Sequence, residues 1–329
     1  MIFEVEPSQL TELNSDTLVQ LMKRLLLAEC QLVEIPLQAA VVPLQITVPD
    51  GGEDGRVEWS GGVDRTNYLP TRFVVFQSKA QDLSDSVVRA EVFTKSSRKY
   101  CCALPKLNDT VLDALSRNGS YIVFCSRPYG GQKISRLRKA IEKAIRDAGA
   151  DPAKLANIDV YDANRIADWV NTHPPVTLWL SSKSRRRSLA GFQSLDAWGR
   201  DAEISKVPWV NSEQPRFVPA NRLPDIDNTD KPLKGWPFDQ AVGEVLTYLS
   251  DDQRILRIVG ASGFGKSRFA YELFNRRTTI SDAITSTAII RADLPVAGDE
   301  AAQLALEIAD AGRPTILVVD DCPDDIHAT

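Results

Sequence analysis

Residues 260–267, Gly260-Ala261-Ser262-Gly263-Phe264-Gly265-Lys266-Ser267, fit the pattern GxxxxGK[ST]. Such a loop is suited to phosphate: glycines let successive backbone N–H groups turn inward around an anion, and a helix starting at the loop aims its positive end at it. Gly260, Gly263 and Gly265 supply the turn, Lys266 reaches the β- and γ-phosphates of a nucleotide, and Ser267 offers its hydroxyl to Mg²⁺. The flanks agree with this role. An apolar run at 255–259 reads as a strand, and 267–276 has helical spacing. Further on, Ile316-Leu317-Val318-Val319 runs into Asp320-Asp321. A buried strand ending on carboxylates puts Asp320 in place to hold the Mg²⁺, commonly through water, and Asp321 in place to polarise an attacking water.

A second group of chemistry-bearing residues lies nearer the N-terminus. Asp54 and Glu58 are four apart on a segment expected to be extended, so the period of two points both to one face. Gln77 and Lys79 are two apart at the end of the apolar run 73–76 and also share a face. Pairing these strands gathers carboxylates, an amide oxygen and an ammonium around one point. Phosphodiester hydrolysis needs such a set. Asp54, Glu58 and the Gln77 carbonyl would bind Mg²⁺, while Lys79 would hold or activate water and offset phosphorane charge. Asp16, on a preceding helix, would complete the shelf. Which acid leads stays open: Asp54 fits the glycine turn, Glu58 gives the tighter spacing to Gln77, and Asp50, in Pro49-Asp50, is a third choice.

The elements that must carry these residues follow from periodicity. Leu18, Leu21, Met22, Leu25 and Leu26 recur at helical spacing in 15–29, with Asn14, Ser15 or Asp16 as cap. Strand-like stretches at 41–48, in the second half of 49–59, and at 73–76 come next. A helix near 111–116, a strand at 121–126, a basic helix at 134–148, a strand at 158–161 and a helix at 163–171, closed by Pro174-Pro175, complete an α/β alternation. Residues 181–234 carry SSKSRRRS, scattered tryptophans and repeated prolines, and read as a linker. Helical spacing returns at 238–249, and beyond the glycine loop a strand at 288–291, a helix at 300–311 and a strand at 315–319 are expected.

The 329 residues suffice for about two domains. Apolar residues make up 43% and charged ones 25%, with no run long enough to span a bilayer, so a soluble chain with no membrane partner is expected. The N-terminus has neither the basic nor the apolar region of a secretion signal, which points to the cytoplasm. Five cysteines include the adjacent Cys101 and Cys102, read as structural, and form no disulfide framework. With only His173 and His327, zinc is not expected; a catalytic metal would be a hard cation on carboxylates. A net charge of −5 offers nucleic acid no global attraction. Local basic stretches do: Lys133, Arg136, Arg138, Lys139, Lys143 and Arg146 load one helix, and Lys183 to Arg187 follow in the linker. These equally suit a solvated helix face and a flexible linker. Trp169 and Trp179 lie in apolar periodic contexts and read as core.

The glycine loop and the double-acid strand resemble the Walker A and Walker B motifs of P-loop NTPases. The helix with Asp16, the segment GGEDGRVE and then VVFQSK resemble the restriction-endonuclease-like PD-(D/E)xK fold over roughly residues 10–90, especially its Mrr-like branch, in which glutamine replaces the acid before x-K. Together they resemble the antiviral STAND NTPases of bacteria, which join an N-terminal effector to an NTPase and a C-terminal sensor. The resemblance implies three parts: a nuclease domain at 1–180, a linker at 181–235, and the first half of a P-loop α/β domain at 236–329. The sequence stops nine residues after Asp320, so this chain is expected to be the N-terminal portion of a longer protein. The implied cofactors are ATP and Mg²⁺. The implied partners are double-stranded DNA, a phage protein sensed through a region outside this chain, and further copies of the chain, a tetramer being favoured. Two alternatives accompany this reading: a restriction or repair nuclease driven by ATP hydrolysis, and a nucleotide-dependent scaffold with an inactive nuclease-like domain.

Overall fold

A computed structural model describes residues 4–43, 54–94, 105–183, 191–200, 217, 235–250, 255–260, 263–275, 289–310 and 315–322. Asp50, Cys101, Cys102, Ala261, Ser262, His327 and residues 184–190 lie outside the described residues. Among the described residues the chain is α/β, and it divides into two compact units, one of Met1–Leu189 with Ala309–Arg313 and the other of Ala190–Ile308 with Pro314–Thr329.

The first unit opens with the short α1 (Pro7–Leu10) and the long α2 (Ser15–Leu32). Asn14 caps α2 by accepting the Thr17 N–H at 2.8 Å, and the helix buries the leucine stripe expected of it. Then come β1 (Ala40–Val41), β2 (Gly55–Glu58) and β3 (Phe73–Lys79), joined antiparallel. After α3 (Asp85–Val92) and α4 (Asp109–Ser116), β4 (Ser120–Cys125) adds parallel to β3. Helix α5 (Gly131–Asp147) crosses over to β5 (Asn157–Tyr161), which adds parallel to β4. Helices α6 (Ala163–Asn171) and α7 (Pro174–Lys183) follow. The sheet order is β1-β2-β3-β4-β5.

Both faces of this sheet are covered, which explains why β3 and β4 read as unbroken apolar runs. Val74 and Phe76 of β3, with Ile122 and Phe124 of β4, pack with α2, α6 and α7. Phe73, Val75, Tyr121, Val123 and Cys125 pack with α3, α4 and α5 on the other face. Trp169 is fully buried and stacks on Tyr68 at 4.7 Å, and Trp179 packs on the same core. Helix α6 ends at Asn171, ahead of Pro174-Pro175, as the sequence suggested; the helix α7 that follows was not expected. Proline is tolerated in a first turn, where its missing N–H has no partner to lose, and here the pair opens α7.

The second unit contains β6 (Phe192–Ser194), α8 (Leu195–Trp198), α9 (Phe238–Ser250), α10 (Lys266–Asn275), β7 (Ile289–Asp293), α11 (Leu294–Ala297), α12 (Glu300–Asp310) and β8 (Ile316–Asp320). Its sheet order is β6-β7-β8, with β7 and β8 parallel and β6 antiparallel to β7. Phe238, Val242, Phe269, Leu273 and Ile289 form its main core. Two expectations change here. Residues 192–198, assigned to the linker, form β6 and α8 inside this unit; Leu195 and Trp198 are buried in its core. Residues 255–259 are not a strand: they join no ladder among the described residues, and Ile255 and Val259 are 81% and 75% exposed. A β-branched run becomes a strand only when its backbone groups find partners, and composition alone does not supply them.

Candidate functional sites

In the first unit the register sets Gly55 opposite Phe76, so Asp54 stands across from Gln77 at the C-terminal end of β3. The Asp54 N–H donates to the Phe76 carbonyl at 3.2 Å, which anchors the residue at the strand entrance. Its Oδ2 accepts two hydrogen bonds, from the Gln77 amide at 2.5 Å and from the Ser78 N–H at 2.7 Å. Gln77 is buried, and its Oε1 has no hydrogen-bond partner. A buried acceptor without a donor is costly, and an amide oxygen beside a carboxylate is a donor set that a hard cation takes. Alternation along β3 puts Lys79 on the face of Gln77. Its ammonium lies 3.0 Å from Glu91 Oε2.

Glu91 is a residue that the motifs did not point to. It sits in the last turn of α3, and its backbone carbonyl accepts from Asn108 Nδ2 at 2.6 Å. Asn108 at the same time caps α4 by accepting the Val111 N–H at 2.8 Å. One asparagine thus ties α3 to α4 and fixes the acid beside Lys79. The signal for α3 was present in Ser84-Asp85 followed by Val88 and Val92 at helical spacing. Tyr121, fully buried on the same face, also has a hydroxyl without a partner. Burial, followed by the charges of Glu91 and Asp54, pushes its pKa well up, so it stays a neutral donor.

The other predicted members are not brought to this point. Glu58 shares a face with Asp54 but pairs with Phe73 at the far end of β2, about 13 Å along the strand at its usual rise. There it forms an ion pair with Arg117, which also bonds Asp113 at 2.9 Å and lies over the Phe73 ring at 4.7 Å. An open cavity of about 490 Å³, lined by Glu58, Trp59, Arg72 and Arg117, belongs to that end of the sheet, away from Gln77 and Lys79. Asp16 is exposed in the first turn of α2, where a carboxylate complements the helix N-terminus. Helix α2 packs against the sheet face opposite Gln77, and no hydrogen bond or ion pair among the described residues ties Asp16 to the site. Nor do three or more His, Cys, Asp or Glu side chains gather anywhere among the described residues in a way that would hold a metal.

On α5 much of the positive charge is neutralised locally. Lys133 pairs with Asp82 at 2.9 Å, Arg136 with Asp85 at 3.0 Å, Arg138 with Asp159 at 3.9 Å and Arg146 with Glu142 at 2.9 Å. Lys139 and Lys143 are exposed on its outer face.

In the second unit Gly263 and Gly265 adopt φ of +80° and +84°, a conformation that side chains strain to reach. Lys266 opens α10, and its ammonium donates to the Gly260 carbonyl at 2.8 Å, folding back across the loop. The Ser267 hydroxyl donates to Asp320 Oδ1 at 2.8 Å, joining the loop to the end of β8. Asp321 is exposed with φ of +52°, and its N–H donates to Asp320 Oδ1 at 3.2 Å. Arg291 of β7 was also missed. Its Nε and Nη2 reach Asp320 Oδ2 at 3.0 and 2.9 Å. An arginine inside the apolar run Ala288-Ile289-Ile290-Arg291-Ala292 was the available signal, because a buried cation requires a partner.

Among the described residues no helix is long and apolar enough to cross a membrane. No protein-family model, curated protein or solved structure matches the chain.

Proposed function

We propose that the first unit is a Mg²⁺-dependent nuclease acting on double-stranded DNA and that the second is a P-loop domain whose ATP-bound state controls it, in the manner of the antiviral STAND NTPases. In this reading a phage protein is the trigger, and assembly of several copies brings the nuclease units together. The observation that carries the reading is the meeting of Asp54 with Gln77, with the Lys79–Glu91 pair on the same sheet face.

Asp54 and Gln77 would hold the cation. A half-turn of the Gln77 amide exchanges its nitrogen and oxygen and turns Oε1 toward the Asp54 carboxylate. Mg²⁺ keeps most of its waters and is content with one or two carboxylates, so this small set suits it. When bound, the cation supplies charge for the phosphorane and acidifies water. Lys79 holds the attacking water or neutralises the developing charge, and Glu91 keeps its ammonium against the sheet rather than in solvent. In the second unit, the Lys266 ammonium would leave the Gly260 carbonyl to meet a triphosphate, and Ser267 and Asp320, hydrogen-bonded at 2.8 Å, would hold the nucleotide's Mg²⁺.

The test is to incubate the protein with Mg²⁺, ATP, candidate phage proteins, and linear and supercoiled DNA, with Lys79→Ala in parallel. Degradation that requires both a trigger and Lys79 is the expected result. DNA bound but never cut under any trigger would transfer the reading to a scaffold.

A further inference from the structure

The second unit buries a cation that phosphate binding does not require. Arg291 lies in the middle of β7 and is 8% exposed, with its guanidinium carbon 5.4 Å from the Trp198 ring centroid. Nε and Nη2 converge on Asp320 Oδ2, Nη1 donates to Gln193 Oε1 at 2.9 Å, and Nη2 is 3.9 Å from Asp293 Oδ2. The second oxygen of Asp320 receives Ser267 and the Asp321 N–H. Both oxygens of this carboxylate are therefore engaged by the protein itself.

We infer that Arg291 is a resident counter-ion of Asp320 that competes with the divalent cation for this carboxylate, and so sets how strongly nucleotide binding depends on Mg²⁺. The inference rests on the phosphate-loop reading and deepens it. Guanidinium does not lose its proton in proteins, so the charge is permanent. Gln193 on β6, which accepts from Nη1 at 2.9 Å, and the Trp198 ring on α8, 5.4 Å from the guanidinium carbon, are further contacts that hold the group in place beside Asp320. Two consequences follow from charge alone. A metal-free nucleotide meets an Asp320 that is already neutralised, which lowers the repulsion between carboxylate and triphosphate. Mg²⁺ arriving at the same carboxylate meets a neighbouring positive charge, which lowers its gain. The ratio of nucleotide affinity with Mg²⁺ to that in chelator is compressed from both ends.

The experiment titrates the whole chain with fluorescent methylanthraniloyl-ATP, once with Mg²⁺ and once with EDTA, for the wild type, Arg291→Gln and Arg291→Lys, with circular dichroism to check folding. Arg291→Gln should raise the Mg²⁺-to-EDTA affinity ratio by about ten-fold through weaker binding in EDTA and tighter binding in Mg²⁺. Arg291→Lys keeps the charge but loses the planar two-nitrogen contact, and should raise the ratio by a smaller factor of about three. A purely structural arginine would weaken both titrations equally, and an unchanged ratio in Arg291→Gln overturns the inference. If Arg291→Gln does not fold, an unchanged ratio in Arg291→Lys overturns it. A wild type that binds nucleotide in neither condition rejects the phosphate-loop reading itself, which is a different failure.

Discussion

Ser267 donates its hydroxyl to Asp320 across 53 residues of sequence, at 2.8 Å. The contact fastens the first turn of α10 to the end of β8 and leaves two oxygens of different residues side by side. If they serve one nucleotide-bound cation, Lys266→Ala and Ser267→Ala should each abolish the stabilisation that Mg²⁺-ATP gives the protein. Ligand at about one hundred times its Kd stabilises by about 2.7 kcal/mol. The measurement is a thermal melt with and without Mg²⁺-ATP. A wild-type shift of several degrees that both variants lose is expected.

Asp54 and Gln77 make a pair whose charge can be changed by one atom. Gln77→Glu puts a second carboxylate beside the first, and two such groups at hydrogen-bond distance cannot both ionise without cost. Denaturant unfolding in EDTA should show a loss of about 1–3 kcal/mol, a typical range for a buried unpaired group. Millimolar Mg²⁺ should recover most of it. The wild type should respond less to Mg²⁺ than the variant does.

If the first unit cuts DNA as proposed, Lys79→Ala and Asp54→Asn should reduce cleavage by at least about a hundred-fold, the scale of a single electrostatic catalytic group. Glu91→Gln should have a milder effect on the rate, because Glu91 acts on Lys79 rather than on the phosphate. A gel assay of cleavage against time, run with all three variants, checks the ranking.

Glu29 is buried in the core of the first unit, where its Oε2 accepts from Trp169 Nε1 at 3.0 Å and meets His173 Nε2 at 3.1 Å. Burial raises its pKa, but hydrogen bonds from His173, Thr66 and Trp169 and the charge of His173 outweigh that and hold it below the ordinary 4.5. A lowered carboxyl pKa means stability that is present above the ordinary value and lost as pH falls through the folded one. The stability advantage of wild type over Glu29→Gln should therefore be present just above pH 4.5 and be lost as pH falls through the lowered folded value, read from denaturation midpoints across the acid range. Glu29→Ala, which leaves His173 and Trp169 unpartnered, should cost about 3–5 kcal/mol.

Gly119 precedes β4, and a Cβ there would stand 2.6 Å from Phe73 Cδ1 and 2.8 Å from the Phe73 carbonyl oxygen. The second of these is backbone and cannot rotate away. Gly119→Ala should lower unfolding free energy by about 1–3 kcal/mol, the range for overpacking. Urea denaturation measures it directly.

The parts of this molecule that sequence made legible are those governed by local pattern. The leucine spacing of α2, the unbroken apolar run of β3 and the basic periodicity of α5 all formed where periodicity placed them. Period two correctly set Gln77 with Lys79, and Asp54 with Glu58, and the register of β2 on β3 puts both pairs on the same face of the sheet. The period says nothing of distance, and four residues of strand carry Glu58 out of reach of Gln77. Glu91 and Arg291 were missed for a related reason: each pairs with a partner on another element, pairing between distant elements leaves no periodic trace, and only the charge inside an apolar run marked Arg291. The run at 255–259 shows the converse, a strand-like composition with no ladder to join.

Strand β3 is the one element that belongs to both halves of its sheet, antiparallel to β2 and parallel to β4, with a core on each side. Its central amides, those of Val74 to Phe76, should therefore be among the last in the first unit to exchange hydrogen with heavy water, since releasing them requires both layers to open. Three residues further on, Lys79 is already partly open to solvent. The chain thus passes within one strand from the backbone expected to exchange slowest to the candidate site, so that Gln77 and Lys79 are carried on a stem held by both layers of the sheet.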